Sequence, residues 1–297
     1  MPSLSWCNPI INDAGADPFI LQAEGKHWLY ATGKEKDGRH LPIWSSTNLV
    51  DWKYEAHAVA NGGPGSWNQF NFWAPEVLAY DNRYWIYYTA KHSKDDKNHS
   101  NRQGVAVSDS PAGPFEDLGP IINHAALDGS PFLDDDGQLW LYYVTEHGNT
   151  RGHAPGKIWV DKLIDPQSVA DEPVCLIDQH EWQEGPVVFK QADGRYRLTF
   201  SLGGWTGDTY RVAQAIGDTP AGPFSESEDL IMESTDEVKG PGHHNFFTGP
   251  DGERWVVYHG WDPAMTTRYP RIDRLRYASD GTISSNAPTH TFQEYNW

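Results

Sequence analysis

Three acidic residues with similar surroundings recur at wide intervals along the chain. Asp17, Asp128 and Glu184 each stand directly before a proline or glycine, and an apolar run follows each of them. Such residues are ordinary at turns and strand starts, so one of them alone would indicate little. Hydrolysis of a glycosidic bond needs one carboxylic acid to protonate the leaving oxygen and one carboxylate to activate water or attack carbon. A third carboxylate can keep the acid protonated by repulsion, so the three residues form a complete set if the fold brings them together.

The elements that must position these acids are visible as an internal repeat. Five times a polar turn runs into an aromatic-rich strand, at steps of 55 to 59 residues. The matched residues, called markers here, are Trp28, Trp85, Trp140, Tyr196 and Trp255. The sequence of residues 109–115, Asp-Ser-Pro-Ala-Gly-Pro-Phe, nearly recurs two repeats later at 218–224. Short strands and turns at this period predict an all-β fold, a five-bladed β-propeller, as one domain over residues 1–297.

A propeller explains how the acids meet. The innermost strand of each blade lies beside the axis, so the first residues of the five inner strands converge at one end of the channel. Asp17 precedes its marker by 11 residues, and Asp128, Glu184 and His243 precede theirs by 12. Like charges directed at one small volume are unfavourable unless function requires them. This convergence therefore predicts an active site at that end of the channel.

The composition restricts the class of ligand. The chain of 297 residues has 23 basic and 41 acidic side chains, a net charge of -18. Because there is no Lys/Arg cluster, we expect neither nucleic acid nor an anionic membrane surface as a partner. A neutral ligand fits better, and some of the 14 Trp and 14 Tyr would suit the apolar faces of sugars. Most of these aromatics are expected to pack between blades.

Several other types of site are not indicated. Cys7 and Cys175 are far apart, which predicts neither a disulfide framework nor a zinc-thiolate site but leaves one bridge open. The segment 134–137, Asp-Asp-Asp-Gly, resembles a calcium loop, but Thr145 stands where its bidentate Glu would be, so we expect a hairpin turn. Patterns for zinc proteases, serine hydrolases and nucleotide binding are missing. The first residues show no leader pattern, so the protein is either intracellular or its leader has been removed.

Together these motifs resemble glycoside hydrolase family 43, five-bladed propeller enzymes that remove arabinose or xylose units from plant polysaccharides. Ala-Asp-Pro-Phe around Asp17 is similar to the family's general-base motif, Asp-Gly-Ser-Pro-Phe from Asp128 to its pKa-modulator motif, and Glu-Gly-Pro from Glu184 to its general-acid motif. Trp-Ala-Pro-Glu from Trp73 resembles a signature whose Trp helps to form the sugar pocket. The resemblance implies an inverting reaction in which Asp17 deprotonates a water, Glu184 protonates the leaving oxygen, and Asp128 keeps Glu184 protonated and positions it.

The resemblance also implies roles for two later segments. Gly-Pro-Gly-His at 240–243 is similar to a family segment whose His faces the axis, commonly beside a structural calcium ion. Adjacent strand residues point to opposite faces, so one of His243 and His244 should face the channel, and the motif selects His243. A single His suits calcium poorly, so water would supply most ligands, and a channel histidine without metal is the alternative. The segment from Arg268 resembles one with an active-site Arg, for which Arg268 is the first choice and Arg271 the second.

We therefore expect an exo-acting α-L-arabinofuranosidase that takes neutral plant-cell-wall oligosaccharides or polysaccharides and needs no cofactor for its chemistry. The Arg-Ile-Asp-Arg-Leu sequence at 271–275 favours this activity over β-xylosidase. The segments 91–102 and 146–156 are long enough to wall one end of a groove, which favours exo action over that of an endo-arabinanase. A non-catalytic carbohydrate-binding propeller would not need three converging acids. We expect a monomer, because a propeller closes its own sheets.

Overall fold

The computed structural model describes residues 3–148, 150–278 and 281–296. These residues form five small antiparallel sheets, the blades, and one further pair of strands. Each blade runs in sequence from its inner to its outer strand. The described residues contain no helix that combines the length and the apolar character needed to cross a membrane. The predicted all-β, five-bladed propeller is confirmed.

The strands are numbered in chain order. The first is β1 (Ser3–Cys7). Blade I consists of β2 (Ala16–Ala23), β3 (Lys26–Thr32), β4 (Arg39–Ser46) and β5 (Lys53–Ala60). Blade II consists of β6 (Phe70–Tyr80), β7 (Arg83–Lys91), β8 (Asn101–Ser108) and β9 (Glu116–Pro120). Blade III consists of β10 (Ala126–Leu133), β11 (Leu139–Thr145), β12 (Ile158–Asp165), β13 (Ser168–Val169) and β14 (Val174–Ile177).

The last two blades follow the same pattern. Blade IV consists of β15 (Gln183–Lys190), β16 (Tyr196–Leu202), β17 (Arg211–Gly217) and β18 (Phe224–Glu226). Blade V consists of β19 (Lys239–Thr248), β20 (Arg254–Trp261), β21 (Arg268–Tyr277) and β22 (Ile283–Ser285). The last strand, β23 (Phe292–Asn296), pairs with β1. All five markers fall on the second strand of a blade, which confirms the period read from the sequence.

The core lies between the blades. Five clusters of buried apolar side chains each join two neighbouring blades, and the cluster between blades V and I also takes side chains from β1. Three tyrosines add hydrogen bonds to this packing: the hydroxyls of Tyr30, Tyr87 and Tyr142 donate to proline carbonyls of the next blade at 2.6–2.7 Å. Fully burying one large apolar side chain contributes about 1.5–3 kcal/mol, so these interfaces hold the inner strands in fixed positions around the channel.

The structure answers two questions that the sequence left open, one about the cysteines and one about the turn at 134–137. Cys7 and Cys175 are both free thiols, so no bridge joins them. Asp134 and Gly137 form the hairpin turn between β10 and β11, with the Gly137 N–H donating to the Asp134 carbonyl at 2.9 Å. Near the N terminus, the Trp6 indole donates to the Ile272 carbonyl at 3.1 Å and ties β1 to blade V.

Candidate active site

The same irregularity occurs near the start of all five inner strands. Each has a β-bulge with one residue in the left-handed backbone region. These bulge residues are Asp17 (φ 50°), Ala74 (φ 49°), Asp128 (φ 58°), Gly185 (φ 56°) and His243 (φ 44°). This conformation is unfavourable for residues other than glycine, and it recurs at functional sites when the surroundings hold it in place.

Hydrogen bonds between blades hold four of the bulge residues. In each case the bulge N–H contacts a side chain on the second strand of the preceding blade, at a site that we call the clamp position. Ala74 N–H donates to Thr32 Oγ1 at 2.8 Å, and the remaining three contacts join Asp128 to Thr89 (3.1 Å), His243 to Ser201 (2.8 Å) and Asp17 to His259 Nδ1 (3.1 Å). Each inner strand is thus positioned by its neighbour.

Blade III departs from this pattern. Its clamp position, judged by strand register, is the fully buried Val144, which has no hydrogen-bonding group. The N–H of Gly185 instead donates to Asp128 Oδ2 at 3.0 Å. The carboxylate of Asp128 therefore contacts the backbone immediately next to Glu184, which gives a physical basis for the positioning role expected of it.

The bulges also refine the sequence alignment. Asp17, Asp128 and His243 are bulge residues, whereas the bulge residue of blade IV is Gly185 and Glu184 precedes it. The equal spacing of Glu184 and Asp128 from their markers suggested equivalent positions, but Glu184 lies one residue earlier. Its partners come from its own blade rather than from a neighbouring one.

Six of the seven predicted site residues meet in a cavity of about 410 Å³. Its lining includes Asp17, Asp128, Glu184, Trp73, His243 and Arg268, together with Thr32, Asn98, Leu127, Glu146, Trp182, Gly204, Trp205 and Thr206. A larger concavity of about 560 Å³ lies near the hairpins of blades IV and V and includes none of the predicted residues, so size alone does not identify the site.

Asp17 is surrounded by a threonine hydroxyl, two histidines and an arginine. Thr32 Oγ1 donates to its Oδ2 at 2.6 Å, and His259 Nδ1 lies 3.2 Å from its Oδ1. His243 Nδ1 and Arg268 Nη1 both lie 3.5 Å from the same oxygen. Burial by itself raises the pKa of Asp17, but these three neighbours outweigh it and hold that pKa well below its usual range. Asp17 is therefore a carboxylate at any pH near neutrality.

Asp128 is in the opposite situation. Burial raises its pKa, the neighbouring carboxyl groups of Glu184 and Asp17 raise it further, and the bond from Gly185 N–H only partly offsets them. Glu184 has both oxygens fixed, because the indole of Trp182 donates to Oε2 and the hydroxyl of Tyr210 donates to Oε1, each at 2.6 Å. The surroundings of Asp128 thus favour its protonated form, and the carboxyl group of Glu184 nearby is fixed by two neutral donors.

The two candidate arginines lie in different places. Arg268 lines the cavity, with its guanidinium 4.4 Å from the ring centroid of Trp205. Arg271 is 1% exposed and donates to the Thr289 carbonyl at 3.0 Å, outside the cavity lining. The second choice is therefore wrong as a substrate contact. The two arginines are three positions apart on β21, so their side chains leave opposite faces of the strand.

The two adjacent histidines of β19 also differ. His243 lies in the cavity, whereas the ring of His244 is buried and contacts Thr199 Oγ1 at 2.7 Å. Among the described residues, no three His, Cys, Asp or Glu side chains are grouped so as to hold a metal ion. The side chains present therefore do not form an oxygen cage of the kind calcium prefers, and calcium beside His243 stays a prediction.

The sequence interpretation missed several cavity residues. Trp182 stands two residues before Glu184, and that proximity was a usable signal. Trp205, Asn98 and Glu146 lie in connections between strands and carry no motif. Tyr210 also follows a long connection, and only the folded chain brings it to Glu184.

A propeller channel that ends in an enclosed cavity with three carboxylates and aromatic walls has the groups that a glycoside hydrolase requires. Residues 6–283 match the model of glycosyl hydrolases family 43. The chain belongs to this family and is a glycoside hydrolase. The resemblance drawn from the motifs is thereby confirmed.

Known members with similar sequences act on different sugars. The β-D-galactofuranosidase xynD of Aspergillus niger is 29% identical, over 93% of this chain and 83% of that protein. A β-xylosidase of Xylanibacter ruminicola is 26% identical, over 74% of this chain and 75% of its own length. The crystal structure of a thermostable family-43 glycoside hydrolase superposes with a TM-score of 0.85 at 30% identity, covering 96% of this chain and 97% of that one.

Proposed function

We propose that the protein is an inverting, exo-acting α-L-arabinofuranosidase that takes saccharides derived from plant-cell-wall arabinan or arabinoxylan. The observation that carries the proposal is the opposite surroundings of two acids in one cavity: Asp17 beside Arg268 and two histidines, and Asp128 beside the carboxyl group of Glu184. An inverting hydrolase needs one ionised base and one protonated acid at the same time. The two environments separate these states near neutral pH.

In this mechanism Asp17 removes a proton from the attacking water. Its Oδ2 accepts the Thr32 hydroxyl, and its Oδ1 lies near His259 and Arg268, so the carboxylate is held in one orientation. As the water attacks the anomeric carbon, its proton passes to Asp17. The neighbouring guanidinium of Arg268 compensates the like charge of the other acids until this transfer.

Glu184 supplies the proton for the leaving oxygen. The proton is one that the Asp128 and Glu184 pair retains, and the contacts from Trp182 and Tyr210 fix the direction of the carboxyl group. When the glycosidic bond breaks, the proton moves to the departing oxygen and Glu184 becomes a carboxylate. Its indole and phenol donors stabilise that charge as it develops.

Two further residues hold the sugar in this proposal. Arg268 donates to sugar hydroxyls, since its guanidinium is fixed beside Trp205 and points into the lining. Trp73 supplies an apolar wall. Asn98 from the connection after β7 and Glu146 from the one after β11 stand at the lining, which supports a closed end and hence exo action. Asn149 of the second connection lies outside the described residues.

The choice of arabinose rests on the chemistry of the sugars. The stretch 271–275 that favoured it in sequence is largely buried, so it gives no direct reason for preferring this sugar. An α-L-arabinofuranoside and a β-D-galactofuranoside share their ring configuration. The name of the Aspergillus relative indicates that it acts on the second of these, the β-D-galactofuranoside. The runner-up is a β-D-xyloside, favoured by the relative from Xylanibacter. An endo-arabinanase of Bacillus subtilis, 26% identical, keeps endo action as an alternative.

The test is release of p-nitrophenol from the α-L-arabinofuranoside, the β-D-xyloside and the β-D-galactofuranoside. We expect the first to be hydrolysed fastest, with the product formed initially as the inverted anomer by NMR. A faster β-D-xyloside, or a retained anomer, would contradict the proposal. Hydrolysis of arabinan with none of the three glycosides would indicate the endo-enzyme. A sugar-binding propeller without activity would bind the same glycosides equally well before and after Glu184→Gln.

A further inference from the structure

The cavity contains a fourth carboxyl group that the proposed mechanism does not use. Glu146 directly follows β11 in blade III and is 7% exposed. It lines the same cavity as Asp128 and Glu184. Burial raises its pKa, and the hydrogen bonds that it accepts partly offset this rise. A buried carboxyl is costly unless its oxygens have partners, so its place in the wall calls for an explanation.

Two asparagines from blade II hold this carboxyl in place. Asn98 Nδ2 donates to Glu146 Oε1 at 3.1 Å, and Asn101 Nδ2 donates to Oε2 at 2.6 Å. Asn98 is itself held through its Oδ1, which accepts from Lys91 Nζ at 2.9 Å and from Asn71 at 3.0 Å. The carboxyl group is thus fixed before any ligand enters, and fixed groups bind with less loss of entropy.

These contacts leave part of the carboxylate free. A carboxylate offers about four acceptor sites, and the two asparagines use one on each oxygen. Because Glu146 lines the cavity, its remaining sites are available to a molecule there. The natural donors for fixed acceptors beside aromatic walls are the hydroxyl groups of a sugar.

We propose that Glu146 is a specificity-determining residue that accepts hydrogen bonds from hydroxyl groups of the terminal sugar. Asp17, Asp128 and Glu184 act at the anomeric carbon of the same sugar. The inference rests on the proposed function, since it names the part of the site that recognises the sugar rather than the part that cleaves the bond. A site built around a substrate hydroxyl discriminates strongly between sugars that place their hydroxyls differently.

The same two hydrogen bonds also anchor the segment before β8, so a test must separate recognition from anchoring. Glu146→Gln does so because of one feature of Asn101. The Oδ1 of Asn101 is buried and has no partner among the described residues. If the Asn101 amide turns over, that oxygen accepts from the new amide nitrogen, while the new amide oxygen still accepts from Asn98. The anchor is kept, and one acceptor facing the sugar becomes a donor.

The experiment measures kcat and KM for the three p-nitrophenyl glycosides with wild type, Glu146→Gln and Glu294→Gln. Glu294 is exposed on β23, so its substitution controls for the loss of one charge. With Glu146→Gln we expect KM for the best substrate to rise by about tenfold or more, as for a lost hydrogen bond to a charged group. We expect kcat to change by less than about threefold, because uniform binding rather than the chemical step is affected. The ratio of kcat/KM among the three glycosides should change, and Tm should not.

Two results would overturn the inference: unchanged KM values, or an equal loss for all three glycosides, whether or not Tm falls with it. If wild type hydrolyses none of the glycosides, the proposed function fails separately. Calorimetric titration with free L-arabinose, D-xylose and D-galactose then decides. Weaker binding of one sugar to Glu146→Gln than to wild type supports the inference, and equal or undetectable binding of all three to both proteins refutes it.

Discussion

Asp17 and Asp128 are the same type of residue at equivalent bulges of blades I and III, yet their pKa values move in opposite directions. Both are buried, so burial does not explain the difference. Blade V brings His259 and Arg268 to Asp17, and its His243 lies 3.5 Å from Asp17 Oδ1 and 3.9 Å from Asp128 Oδ2, whereas the carboxyl groups of Glu184 and Asp17 raise the pKa of Asp128. The repeated backbone therefore supplies equivalent positions, and the neighbouring blade decides what each position can do.

The largest effect should come from removing the two carboxylates one at a time. Asp17→Asn should lower kcat by about 10³-fold, within the range for loss of a general base, because an amide does not take the proton from water. Asp128→Asn should cost less, about 10²-fold, because its amide oxygen still accepts from Gly185 N–H and only the electrostatic influence of its carboxyl group on Glu184 is lost. Steady-state kinetics on the best p-nitrophenyl glycoside measures both. Equal losses would mean that the two bulges do not have different roles.

The second prediction concerns the cation beside Asp17, Arg268. In Arg268→Gln the pKa of Asp17 should rise, because one of the groups that lower it is gone. The base must be ionised to work, so the acidic limb of the kcat/KM profile should move to higher pH, by about one unit or more for loss of a charge at this distance. The pH profile of wild type and variant measures the shift.

The same substitution also removes a substrate contact, so kcat/KM should fall at every pH. A loss without any movement of the acidic limb would show that Arg268 binds sugar but does not set the protonation of Asp17.

The contrast between the two acids also marks what sequence can predict. The markers and the acidic motifs predicted five blades and placed Asp17, Asp128 and Glu184 in one volume, because a propeller brings equivalent residues to the axis. The neighbouring residues that give the two acids different pKa values were harder to predict from the sequence. His259 lies at the clamp position of β20 and carries no motif, and Tyr210 and Glu146 lie in connections whose course depends on packing between blades.

The third prediction uses a buried carboxyl group that has no cationic partner among the described residues. Glu76 on β6 accepts from the Ser130 hydroxyl at 2.8 Å, and burial raises its pKa to about 8. The pKa of Glu76 is thus higher in the folded state, about 8, than its ordinary value of 4.5 in the unfolded chain. Such a group stabilises the fold at pH values below 4.5, and this contribution is lost as the pH rises towards 8. Wild type should therefore lose Tm over this range, and Glu76→Gln should lose less, by at least about 2 °C, the shift from roughly 1 kcal/mol in a domain of this size.

Thermal scans across the range measure this difference, with the exposed Glu294→Gln as the matched control. Identical slopes for wild type and Glu76→Gln would mean that Glu76 does not titrate between these pH values.

The smallest effect should come from restoring the missing clamp in blade III. Val144→Thr places a hydroxyl at the position that Thr32, Thr89 and Ser201 occupy in other blades. A buried hydroxyl without a partner costs about 1–3 kcal/mol, but here Gly185 N–H is available to donate to it. We expect Tm to fall by less than about 2 °C. Val160→Thr, in the same apolar cluster, should lower Tm more because no clamp contact is expected there.

The new hydroxyl would compete with Asp128 Oδ2 for Gly185 N–H. The hydrogen bond from Gly185 N–H lowers the pKa of Asp128, so its loss should make Asp128 hold its proton more firmly. We expect kcat to change by less than about threefold. Equal Tm losses in the two threonine variants would mean that the clamp geometry is absent from blade III. Asp128 would then hold Gly185 by necessity, since no other side chain on that blade would be in reach of its N–H.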